Sequence, residues 1–224
     1  MTSLRARLTW LLGYTVAMAY LESAVVVYLR NLYYPTGFEF PIILIEDWVA
    51  AIELGREAVT LVMLSCVAVL AGTDRWERFL LFCLSFGVWD ILYYFWLWAF
   101  VRWPASLLTW DILFLIPVPW IGPVLAPVLI SAALIAGSVW LLALKARGRR
   151  LQFASWHWGL ATVGGALVLL SFTLDYRVVI EGRMPPPFRW GLFAAGMSLG
   201  GVAAALGGRS LRSAAANQGV SDTA

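Results

Sequence analysis

Apolar residues run in long blocks along this chain, and polar residues gather in short clusters between them. Six blocks reach the roughly 20 residues a helix needs to cross a hydrocarbon core. They are Leu8–Tyr28, Trp48–Ala71, Phe79–Phe100, Ile121–Leu144, Trp156–Leu174 and Phe188–Leu206. The pattern predicts an all-α integral membrane protein: one bundle of six transmembrane helices over residues 1–212, then a small, polar, disordered cytoplasmic tail over 213–224. A seventh apolar piece, Leu107–Pro119, is too short to span. Around it stand Pro104, Pro117, Pro119, Pro123 and Pro127, which cannot all occupy one straight helix, because each removes a donor and crowds the preceding turn. The expected arrangement is a short interfacial or re-entrant helix over Leu107–Leu115, capped by Thr109 or Asp111 and broken by proline before the fourth span.

Composition agrees with that pattern. Residues of the AVILMFWYC set make up 62% of the 224 positions and charged residues 13%, with a mean hydropathy of +0.81. A water-soluble globule needs a more polar exterior than this allows. The net charge of +3 does not indicate a nucleic-acid partner, since the basic residues are scattered over short connections instead of forming one patch. They report topology. With the N-terminus inside, Arg5, Arg7, Arg75, Arg78, Lys145, Arg147, Arg149, Arg150, Arg209 and Arg212 are cytoplasmic, while Arg30, Arg102, Arg177, Arg183 and Arg189 are external. The excess of basic residues inside predicts that both termini are cytoplasmic. Arg5, Arg7 and Ala17-Met18-Ala19 imitate a secretory signal, but the apolar run continues to Val27, so the first block reads as a retained span.

The chemistry lies in charges that are costly to place. An ionisable group at mid-bilayer costs roughly 3 kcal/mol or more and is a functional candidate by default. The spans contain Glu22, Glu53, Arg56, Glu57 and Asp90. At about 1.5 Å per residue, Glu22, Glu57 and Asp90 lie roughly 9, 13 and 15 Å below the outer helix ends. Helical periodicity puts Glu53, Arg56 and Glu57 on one face, and Gly87, Asp90, Tyr93, Tyr94, Leu97 and Trp98 on another. If these faces meet, Glu22, Glu53, Arg56, Glu57, Asp90, Tyr93 and Tyr94 form a polar binding cluster, with Arg30, Arg102 and Asp111 as a lid or outer gate. Four acids outnumber Arg56, and snorkelling by Arg30 and Arg102 would still leave a deficit, so a bound proton or small cation is implied. The plainer alternative is a static lock between helices.

Other features carry less. Cys66 and Cys83 sit in apolar runs without a neighbouring His or further Cys, so no metal site is predicted. His157, between Trp156 and Trp158, reads as an interfacial residue. Gly196-xxx-Gly200 suggests close helix packing within the chain. No motif identifies a cofactor, a hydrolase or a phosphate-binding loop.

The stretches AYLESAVVVYLRNLYYPTGF (19–38), ELGREAVTLVML (53–64), FGVWDILYYFWL (86–97) and WPASLLTWDILFLIPVPWIGPVLAP (103–127) resemble an uncharacterised family of bacterial multi-pass membrane proteins. The resemblance covers roughly the first 130 residues. It implies a bacterial cytoplasmic membrane and nothing about activity. Three functions remain open at this stage: a proton- or cation-linked transporter of a small solute, a membrane enzyme using a carboxyl as general acid on a lipid or isoprenoid, with Tyr93, Tyr94 and Trp98 lining its pocket, and a structural subunit held among other membrane subunits.

Overall fold

The computed structural model describes residues 4–35, 37–38, 47–149, 151 and 153–209. Arg150, Arg212 and the expected disordered tail lie outside the described residues. Within them are seven helices: α1 (Leu4–Tyr33), α2 (Asp47–Ala71), α3 (Arg75–Val101), α4 (Leu125–Ala146), α5 (Ser155–Thr173), the one-turn α6 (Tyr176–Ile180) and α7 (Trp190–Arg209). Six of them coincide with the predicted blocks and are long and apolar enough to cross a membrane. Large apolar side chains such as Leu21, Val59, Val62, Leu70 and Val163 stand exposed on their outer faces.

Helix α3 is the hub of the first four helices and packs against α1, α2 and α4. It begins where Asp74 accepts hydrogen bonds from the backbone N–H groups of Trp76 (3.0 Å) and Glu77 (3.1 Å), satisfying donors that a helix start leaves open. Its closest approach to α4 is at Gly87, where a Cβ would lie 2.7 Å from the Ser131 carbonyl oxygen. Helices α5 and α7 form a second tight pair. A Cβ on Gly164 would lie 2.7 Å from the Gly196 carbonyl oxygen and 3.0 Å from Gly200 N. The Gly196-xxx-Gly200 motif therefore does pack inside the chain.

Contacts fix which helix ends belong together. At one end Arg7 of α1 bonds the Ala71 carbonyl at the close of α2 and meets Glu77 of α3 at 2.9 Å, while Lys145 of α4 reaches Asp74 and Glu77. Trp158 of α5 stacks on Trp76 there (5.9 Å). His157 is buried at this end and accepts a hydrogen bond on Nδ1 from Ala154 N at 3.0 Å, so it caps its own helix. Arg5, Arg75, Arg78, Arg147 and Arg149 lie at or beside these helix ends, so this is the basic end of the molecule.

At the opposite end the connection before α4 departs from expectation. No short helix forms over 107–115. Two strands, β1 (Trp110–Phe114) and β2 (Trp120–Pro123), pair antiparallel, with Asp111 opposite Gly122 and Ile112 opposite Ile121. The reason is local. Trp110, Ile112, Phe114, Trp120 and Ile121 favour extended backbone, and a ladder of two strands tolerates proline at its ends and turn where a helix interior does not. The fourth span accordingly starts at Leu125, four residues later than predicted, with Pro127 in the first turn, where its missing N–H costs nothing. Gly122 lets β2 lie on α5: a Cβ there would come within 2.9 Å of the Phe172 ring.

Candidate functional site

Near this hairpin end the side chains of α1, α2, α3 and β1 enclose a cavity of about 380 Å³. Its wall includes Glu22 and Arg30 from α1, Glu53, Arg56 and Glu57 from α2, Asp90, Tyr93 and Tyr94 from α3, and Asp111 from β1. Nine of the ten residues singled out from the sequence thus line one space. Arg102 does not. It terminates α3 in the left-handed conformation (φ 56°) and turns outward, with its guanidinium 4.6 Å from the exposed Trp98 ring. Trp98 is likewise absent from the wall, because it falls at the edge of the helical stripe that carries Asp90 and Tyr94.

The two arginines are engaged. Arg56 pairs with Glu22 across the α1–α2 interface and with Glu53 on its own helix, donating to Glu53 Oε2 from Nε (3.0 Å) and Nη2 (2.7 Å). Thr60 Oγ1 donates to the other oxygen of Glu22 at 2.6 Å. Arg30 donates from Nη2 to Asp111 Oδ1 at 3.3 Å, and its guanidinium carbon stands 3.6 Å from the Trp103 ring and 4.3 Å from that of Phe38. Tyr94 donates its hydroxyl to Asp111 Oδ2 at 3.2 Å. Asp111 is therefore a buried anchor of the hairpin. Burial pushes its carboxyl up to about 6, against the opposing pull of Arg30 and the Tyr94 hydroxyl.

The remaining two acids are held differently. Glu57 Oε2 accepts from the backbone N–H of Leu115, just past β1, at 2.8 Å. Asp90 Oδ2 accepts from Ser131 Oγ of α4 at 2.8 Å. Each has a neutral donor, and neither forms an ion pair among the described residues. The seven charged residues of the wall would sum to −3 if all were ionised: five carboxylates against two guanidinium groups. That deficit is larger than the sequence suggested, because Asp111 joins the cavity and Arg102 leaves it.

The chain matches no family model, no curated protein and no solved structure. Chemistry at the cavity must therefore be read from its own geometry. Most of the remaining wall is apolar or aromatic, from Val26, Leu29, Tyr33, Ile112, Phe114 and Ile180 among others. A cavity of this size, mostly apolar with a few convergent polar groups, is what a small ligand requires. Among the described residues no three Asp, Glu, His or Cys side chains come together in a way that could hold a metal ion.

Sequence reasoning missed Thr60, Ser131, the Leu115 N–H and Glu77. Thr60 could have been found, since it lies four residues after Arg56 on the same face. Ser131 and the Leu115 N–H carried no signal, because which polar group an acid meets depends on how α4 and the hairpin dock. Glu77 is 4% exposed and serves the basic end, where it meets Arg7 and Lys145, and it takes no part in the cavity wall.

Proposed function

We propose that this protein is a multi-pass protein of a bacterial cytoplasmic membrane, with both termini cytoplasmic, and that it binds and carries a small solute in exchange with protons at the cavity. The six apolar helices support membrane embedding. The concentration of Arg and Lys at one end supports the orientation. One observation carries the functional reading: Glu57 and Asp90 share the wall of one ligand-sized cavity, and neither forms an ion pair among the described residues.

A carboxylate removed from water without a counter-ion favours its protonated form. Two such groups on the wall of one cavity form a proton store that a solute of suitable charge can displace. Ionisable groups within membrane helices mark ion and proton pathways for this reason, and carriers place their sites at interrupted backbone beside a cavity. Here that interruption is the hairpin, which contributes the Leu115 N–H to Glu57. A purely structural lock accounts for Arg56 with Glu22 and Glu53, and for Arg30 with Asp111. It gives no role to Glu57 and Asp90 as acids. The enzyme reading loses Trp98 as an aromatic wall.

The test uses proteoliposomes with an acid interior reported by acridine orange, challenged from outside with permanently charged organic cations, amino acids and sugars in turn. Wild-type protein should collapse the gradient with at least one class, beyond the leak of protein-free vesicles. Glu57→Gln and Asp90→Asn should abolish that response while melting as wild type does. Folded protein that responds to none of the classes would remove transport from consideration.

A further inference from the structure

Resting on the proton-exchange reading above, we infer that the ligand is an amphiphilic organic cation. Two observations converge on this chemistry. First, the wall has a charge deficit while both of its arginines are already paired, so a cationic group entering near Glu57 and Asp90 would balance acids that form no ion pair among the described residues. Second, most of the wall is apolar and aromatic, which suits a hydrophobic body and lets ring faces attract a diffuse positive charge. An inorganic cation would leave that surface unused.

The volume of about 380 Å³ limits the ligand to the small end of the drug-sized range.

Benzoylcholine combines a quaternary nitrogen, an ester and one ring, and serves as the probe. Its neutral isostere is 3,3-dimethylbutyl benzoate, and (5-phenylpentyl)trimethylammonium keeps the charge without the ester. Binding is measured by calorimetry on the full chain in nanodiscs, in two buffers of different ionisation enthalpy. Benzoylcholine should bind saturably with release of protons to the buffer. The neutral ester should bind about tenfold or more weakly. Glu57→Gln and Asp90→Asn should each weaken the cation by about tenfold and spare the neutral ester. Equal affinity for the neutral ester, or no binding of either cation by folded protein, would overturn the inference. Saturable cation binding without any transport upholds the ligand class and defeats the carrier reading. Proton-driven uptake of a neutral solute alone does the opposite.

Discussion

Arg56 satisfies two carboxylates at once, Glu22 on the neighbouring helix and Glu53 one turn away, and little water reaches any of the three. Removing the guanidinium leaves two buried acids unpaired, which typically costs about 3–5 kcal/mol. Arg56→Gln should therefore lower the unfolding midpoint in detergent sharply, and adding Glu22→Gln and Glu53→Gln to it should restore much of the loss. Glu57→Gln and Asp90→Asn behave otherwise, because each amide keeps an oxygen to accept from the Leu115 N–H or the Ser131 hydroxyl. Their effect on the same midpoint should stay within about 1 kcal/mol. Asp111 adds a pH dependence. Its folded pKa, about 6, lies above the ordinary value of 3.8, so the folded state binds the proton more tightly than the unfolded chain. The stability this contributes is complete below about 3.8 and is lost as pH rises through about 6. Thermal melts from pH 4 to 7 should show that decline in wild type and lack its Asp111 component in Asp111→Asn. A slope that survives the substitution would assign the titration to another group.

Between α5 and α7 the two glycine backbones touch. A methyl group on Gly196 would meet the Gly164 carbonyl oxygen at 2.6 Å and Val168 N at 2.9 Å, whereas one on Gly200 meets nothing within 4 Å. Gly196→Ala should destabilise by about 1–3 kcal/mol, as overpacking does, and Gly200→Ala should be neutral or slightly stabilising, as expected for glycine replaced within a helix. Denaturant titration of the two variants side by side tests this. At the scale of elements most of the fold was legible. The apolar blocks located six helices to within a few residues, and α1 exceeds its block at both ends because Arg5, Arg7 and Arg30 continue a helix beyond the apolar run. The hairpin was not legible as such. Its proline content correctly excluded a long helix, but choosing between a broken helix and a strand pair depends on the partner strand, and the short apolar run 107–119 shows no decisive period.

Across the whole molecule, the charged residues divide between two ends. Arg7, Lys145, Asp74 and Glu77 knit four helix termini together at the basic end, and the cavity lies near the hairpin end. Orientation can be tested on a background with Cys66 and Cys83 replaced by alanine. A cysteine at Glu181 should react with an impermeant maleimide in intact cells, and one at Arg147 only after permeabilisation. The reverse pattern would invert the topology and put the hairpin end on the cytoplasmic side. The convergence of acids was legible to the extent that helical phase fixes it. Glu22, Glu57 and Asp90 lay in the same outer half of the span on faces of three helices that could turn toward one another, whereas Arg102 failed because the helix terminates beneath it and a terminal residue does not continue the stripe. The pairing of β1 with β2 has one further consequence. The ladder holds the two strands to each other as one unit, but lifting that unit from the helices would bare the Leu115 N–H that Glu57 accepts from. Among its side-chain ties to the helices are the carboxylates of Glu57 and Asp111. The fastening of the hairpin and the proton exchange proposed for Glu57 thus draw on the same carboxylate.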